Sequence, residues 1–417
     1  MKTNSYILLL ATGLTSIACS GDKFQSMPDA ATTYADIVFS SYSDSLTEAA
    51  ALDSAIQAFV GAPDEAGLSS ARQAWLDSRE PYLQTEVYRF YEGPIDNETD
   101  GPEGLLNAWP MDESHVDYTM GQMGLTMSGI VNDTSVTIDA ATLESKNEDG
   151  GEENVATGYH ALEFLLWGQD FSADGPGNRS YMDYVDRGDA GSFGCYNTTT
   201  HALDCMAMAE GECAEGSMWA EDVCAINADR RGDYLTVASA LMNTHLSGLK
   251  DAWAADGENY RADFLAADSS EQLRKILTGM IILSGFETGG ERLQTALDSG
   301  DQEDEHSCFS DNTHRDMIQD VQGVQNVFLG TYGSVSGTSI KDVVSALDAD
   351  LATQLETDIQ TSLDAANALQ PPFDQEIALE NTEGRARVEA LITALRAQEK
   401  TLEDVFRAFE LDIPVAE

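Results

Sequence analysis

Gly158–Gln169 reads GYHALEFLLWGQ. Taken as a helix, it places His160 and Glu163 three residues apart, so that both side chains share one face. Leu162, Phe164, Leu165, Leu166 and Trp167 fill the other faces. An imidazole and a carboxylate on so apolar a helix need partners, because buried polar groups are costly unless paired, hydrogen-bonded or bound to metal. His nitrogen and Glu oxygen are both ordinary metal ligands. A hydrogen-bonded structural histidine beside a Glu held by arginine is the other reading. The pair alone leaves both open.

The pattern on either side is helical. Upstream, Val38, Tyr42, Leu46, Ala49, Leu52, Ile56 and Phe59 recur at helical spacing up to Gly61-Ala62-Pro63. A second helix, about Asp64 to Tyr91, carries Trp75, Arg79, Tyr82 and Glu86 as one stripe, and Pro81 should kink or restart it near Glu80. Arg79 and Glu86 on that face are either an internal ion pair or the lining of a cleft, since buried charges demand pairing. Gly93–Pro110 reads as loop. Its Asp96-x-Glu98-x-Asp100-Gly101 is a poor match to a calcium loop, with Asn107 at the twelfth position. Asp112, Glu113 and Asp117 could supply carboxylates, although solvated acids are the default in so acidic a chain.

Downstream, Leu235, Ala238, Met242, Leu246, Leu249 and Trp253 make one amphipathic face. Leu273, Ile276, Leu277, Met280 and Ile281 make another, running into Glu287, Glu291 and Arg292 across Gly289-Gly290. That double glycine predicts a loosened helix end with an exposed Glu–Arg pair. Ser310, Asp311, Asn312 and Thr313 offer caps to a helix whose apolar stripe begins at His314. Two long helices, Ser339–Ala368 and Glu383–Glu410, are split by Pro371-Pro372. There is little β signal, and the fold class expected is all-α.

The 417 residues carry 73 Asp+Glu against 22 Lys+Arg, a net charge of −51, and are 42% hydrophobic. A core is available, while nucleic acid and anionic membrane are repelled. Met1–Cys19 has a lysine, a short apolar run and Ser16-Ile17-Ala18-Cys19, which resembles a bacterial lipobox with Ser in place of the usual Leu. Cleavage before Cys19, lipidation of its thiol and residence in the bacterial cell envelope are expected, with Ser20 pointing to the outer membrane. Cys195, Cys205, Cys213 and Cys224 read as a disulfide-stapled insertion with three possible pairings; Cys308 is left over. No G-x-S-x-G, phosphate loop, dinucleotide fingerprint or His-Glu-x-x-His occurs, and nothing identifies a catalytic base.

The G-x-H-x-x-E-F-L-L-W-G stretch resembles the signature of the imelysin family. Trp75–Asp96, Asn107–Tyr118 (NAWPMDESHVDY) and Glu305–Asp316 (EHSCFSDNTHRD) also fit it, the last two resembling its iron-regulated protein A branch. The resemblance implies two helical-bundle halves, possible pseudo-symmetry, a cleft between the halves, export, and association with iron uptake. The chain then divides into a signal peptide (1–18), a tether (19–33), an N-terminal bundle (34–170), an irregular linker (171–228) and a C-terminal bundle (229–417). His160 and Glu163 would be metal ligands, with Glu86 a third ligand or an orienting partner. Arg79, Asp112, Glu287, Arg292, Asp311 and His314 are cleft or ligand-binding candidates. The expected cofactor is iron, bare or in a complex, and an envelope transport partner stays unidentified. Two alternatives stand beside this: a zinc metallopeptidase using Glu163, and a metal-free module for a protein or haem-like partner.

Overall fold

The structure, a computed structural model, describes residues 23–121, 124–172, 174–185, 193–197, 203–204, 217–221 and 227–415. The segment expected to direct export, with Cys19, lies outside them, as do Cys205, Cys213, Cys224 and the side chain of Cys195. Cys308 is a buried free thiol.

The first apolar stripe forms helix α1, Met27–Gly61. It begins inside the segment read as a tether. Pro28 suits a first turn, where its missing N–H would be unpaired anyway, and Met27, Ala30 and Ala31 are buried. Helix α2, Glu65–Leu83, is capped by Asp64, whose side chain accepts from Gly67 N at 2.7 Å. It stops short of the expected Tyr91, because Pro81 falls in its last turns and the chain tightens into a 3-10 turn at Glu86–Tyr88. Helix α3, Gly158–Trp167, is buried at all ten residues. Helix α4, Ala228–Ala252, packs on α1 and α3. From sequence it belonged to the C-terminal bundle; its Leu235–Ala238–Met242–Leu246 face instead completes the N-terminal one.

The second half holds α5 (Ser269–Ile281), α6 (Thr313–Leu329), α7 (Ala349–Ala366) and α8 (Thr382–Ala408). Ile282–Gln294 does not end a helix at Gly289-Gly290 but continues α5 as a π-helix. α8 packs on α7, α5 and the π-helix, and α6 packs on α7. The fold is all-α. Small antiparallel pairs occur at Thr119–Gly121 with Gly124–Thr126 and at Thr331–Tyr332 with Val335–Ser336. The linker, read as irregular, includes a three-stranded antiparallel sheet with Phe193–Asn197 in its centre. Among the described residues no helix is long and apolar enough to cross a membrane.

The halves share one large apolar cluster, and a second cluster around Leu293, Met317, Phe373 and Leu391 lies within the C-terminal half. At the seam, α6 packs on α2 and α5 on α1. A Cβ on Gly279 of α5 would lie 2.0 Å from Val87 O, and one on Gly323 of α6 would lie 2.6 Å from Gln84 O. Backbone therefore meets backbone on both sides of residues 84–87, a closeness that only glycine permits.

Candidate functional site

His160 and Glu163 face each other within α3: His160 Nδ1 lies 2.9 Å from Glu163 Oε2. The other carboxylate oxygen, Oε1, accepts from Ser310 N at 3.0 Å and Ser310 Oγ at 2.7 Å. Both Glu163 oxygens are thus engaged. His160 Nε2 is buried without a hydrogen-bond partner.

A second imidazole stands beside the first. The His306 ring lies 4.8 Å from the His160 ring, centroid to centroid, at 76°. His306 Nδ1 lies 2.7 Å from Asp316 Oδ2. The same oxygen accepts from Ser307 Oγ at 2.6 Å and from Arg79 Nη2 at 3.1 Å. Arg79 Nη1 donates to Asn107 Oδ1 at 2.5 Å, and its guanidinium lies 4.8 Å from the Tyr159 ring. Each imidazole is therefore tethered through Nδ1 to a buried carboxylate, which leaves its Nε2 as the nitrogen able to take a ligand.

Electrostatics keep both rings neutral. Burial, then the Arg79 charge, holds His160 well below the usual histidine range. Burial and Arg292 push His306 down to about 3. Burial raises Glu163 to about 8 against the pull of Ser310. Burial also opposes ionisation of Asp316, but Arg79 and His306 overcome it and hold that carboxyl well below its ordinary value.

His306 opens onto a cavity of about 370 Å³ whose lining includes Arg89, Glu103, Trp109, Glu287 and Arg292. Glu86 sits behind this wall, its Oε2 accepting from Arg89 Nη1 at 2.7 Å and Arg292 Nη2 at 2.6 Å. Burial would raise Glu86, yet Arg89 and Arg292 hold it at about 2. Arg292 also reaches Glu287 Oε1 at 2.9 Å and Asp320 Oδ2 at 2.9 Å. The exposed Glu–Arg pair expected here is met only in part: Glu291 is exposed, while Arg292 is buried among Glu86, Glu287 and Asp320. A wider cavity of about 460 Å³ lies along Gly93–Pro102 and α4, away from these groups.

The remaining candidates fall elsewhere. Asp112 is exposed and caps a one-turn helix, accepting from Ser114 N at 2.9 Å. His314 is half-buried with Nδ1 3.2 Å from its own Asp311 carbonyl. Asp311 is buried near Glu305 and Asp374. His306 was not singled out from the sequence; its only signal was its place in Glu305–Asp316.

The imelysin family model matches residues 38–402. The iron-regulated protein A of Synechococcus elongatus is 24% identical over 406 residues, covering 95% of this chain and 88% of that protein. A crystal structure of a protein named as an iron-regulated protein A precursor, from Parabacteroides distasonis, superposes with a TM-score of 0.68 at 18% identity, covering 94% of this chain and 97% of that one. An imelysin-like protein from Psychrobacter arcticus gives 0.61 at 12% identity over 95% and 99%. The two structures carry the likeness in fold. With its model spanning most of the sequence, the chain belongs to the imelysin family.

Proposed function

We propose that this protein binds a metal ion, iron or a small iron complex, through His160 and His306 at the inner end of the cavity. The observation that supports this is the pair of neutral, adjacent imidazoles, each fixed at Nδ1 by a carboxylate. Metal-ligating histidines are held in this way, and the outer carboxylate sets ring orientation and ligand basicity. Neutral imidazole is also the form that binds metal. Iron is chosen because relatives are named iron-regulated protein A. When bound, the ion supplies a Lewis-acidic centre; the chain's own contribution is to hold the rings and to wall the cavity with Glu103, Glu148, Glu152, Glu287 and Glu291 beside Arg89 and Arg292, an acidic lining that suits a cation.

Hydrolysis is the weaker reading. A peptidase needs a carboxylate free to accept a proton from water beside the ion, and both Glu163 oxygens are committed.

Metal titration of the chelator-treated protein with Fe²⁺ and Zn²⁺ tests the site. Wild type should bind one ion tightly, and His160→Ala and His306→Ala should lose it. Glu163→Gln, which disturbs only the tether, should weaken binding by about 10–100-fold. Equal binding by all four proteins would refute the assignment.

We further infer a lipid-anchored protein of the bacterial envelope, at the outer membrane, from Met1–Cys19. Cys19→Ala should move the protein from the membrane to the soluble fraction; no change in partition would refute the anchor.

A further inference from the structure

We propose that Glu305, Asp311 and Asp374, with Asp170 beside them, form a separate site for a hard divalent cation of the calcium class. One carboxylate oxygen from each of the first three lies within 4.8 Å of the other two. All four side chains are buried, Glu305 completely. By hydrogen-bond geometry both oxygens of Glu305, both of Asp311, Oδ2 of Asp374 and Oδ2 of Asp170 lack a partner and access to solvent; beside them stand only the Thr313 hydroxyl, at Glu305, and the mutual approach of Asp170 and Asp311. The oxygens that are engaged have modest partners: Asp170 Oδ1 accepts from Ser172 N at 2.9 Å, and Asp374 Oδ1 from Gln375 N at 2.6 Å.

Other buried carboxylates are met by cations. Glu86, Asp117 and Asp316 each meet at least one arginine. The charges that bear on Glu305 are instead Asp311, Asp374 and Asp170, all of its own sign. Its one polar relief is Thr313, whose hydroxyl also accepts from Ser307 N at 2.9 Å. Buried like charges need a counter-charge or protons.

The donor set selects the ion. It is all oxygen, without the imidazole or thiolate that softer metals prefer. Ca²⁺ accepts several carboxylates in irregular geometry, whereas Mg²⁺ demands a near-regular octahedron and keeps its waters. The ligands come from distant places in the chain: just beyond α3, on either side of Ser310, and at the start of the short helix Phe373–Ile377. A cation here would tie the loop after α3 and the segment before α6 to the C-terminal half. It would also steady Ser310, the residue that anchors Glu163. The inference does not depend on a metal at His160.

Thermal unfolding of the chelator-treated full chain, with CaCl₂ or with NaCl of matched ionic strength, tests it. Ca²⁺ should raise the Tm of wild type and of His160→Ala equally. Asp374→Asn and Glu305→Gln should lose that rise and bind Ca²⁺ at least tenfold more weakly. In chelator, each should be as stable as wild type or more so, because a repelling charge has gone. A Ca²⁺ effect no larger than that of NaCl, or one retained in both variants, would assign the response to the acidic surface and overturn the site. If the variants do not fold, Tb³⁺ luminescence of wild type decides. Trp109, which donates to the Glu305 carbonyl at 3.1 Å, should sensitise one ion's emission. Ca²⁺ should quench that emission by displacement. No sensitised emission, or displacement by Zn²⁺ ahead of Ca²⁺, would overturn the proposal.

Discussion

Asp117→Asn is expected to destabilise the protein by about 3–5 kcal/mol, the range for removing one partner of a buried ion pair. Asp117 is fully buried and meets two arginines. Arg231 holds it bidentately, Nε at 2.6 Å and Nη2 at 2.9 Å, and Arg179 Nη1 adds a third contact at 2.9 Å. Asp183 completes the group, accepting from Arg179 Nη1 at 3.1 Å and Tyr118 Oη at 2.6 Å. Two carboxylates balance two guanidiniums; the amide would leave two buried cations facing one anion. The group ties the chain after α3 and helix α4 to the segment around Tyr118, so its loss loosens the frame around His160.

The pH dependence has a definite sign. Burial raises the Asp117 carboxyl, but Arg231 and then Arg179 reverse this and hold it below the ordinary range. A depressed carboxyl contributes stability above its unfolded value, near pH 4. That contribution is lost as pH falls through the lower folded value. Denaturant unfolding of wild type should therefore show this stability disappearing in acid, and Asp117→Asn should show a shallower acid slope. Parallel slopes for the two proteins would contradict the role given to Asp117.

Gly158→Ala should be nearly as severe. Gly158 opens α3 at φ +82°, and a Cβ there would sit 2.4 Å from Leu106 O. The backbone conformation costs an alanine about 1–3 kcal/mol, and overpacking against an immovable carbonyl adds about 1–3 kcal/mol more. Relief requires moving the start of α3, which carries His160 two residues on. Metal affinity should fall together with Tm. Gly61→Ala is the control, since nothing lies within 4 Å of its added Cβ. Equal Tm for the two variants would remove the close approach from the explanation.

The helices were legible in the sequence because their apolar residues recur at helical spacing. Trp75, Arg79 and Tyr82 declared a buried face, and His160 with Glu163 pointed to the candidate site. Other features were hidden for physical reasons. His306 meets His160 across 146 positions of sequence, a proximity that no local pattern encodes. Asp117 looked like one more solvated acid until Arg179 and Arg231, from distant segments, closed on it. The double glycine at 289 and 290 signalled a loosened helix end, whereas the segment continues as a π-helix packed on α8. Asp374 followed a Pro-Pro break and carried no sign of its distant carboxylate neighbours.

The two glycine notches at the seam bear on how cargo could be exchanged. Helices that touch through side chains can slide, since rotamers yield; main chain pressed on main chain cannot. Gly279 and Gly323 grip residues 84–87 from α5 and α6; Glu86 lies within that stretch, and Arg89 in the cavity wall is two residues beyond it. The halves are therefore keyed together rather than hinged, and the cavity is a fixed mould, not a jaw. Under the proposed metal binding, entry and exit would fall to Arg89, Glu103, Glu287 and Arg292 at its mouth, and the rate of metal exchange is expected to rise with the salt concentration that loosens those ion pairs.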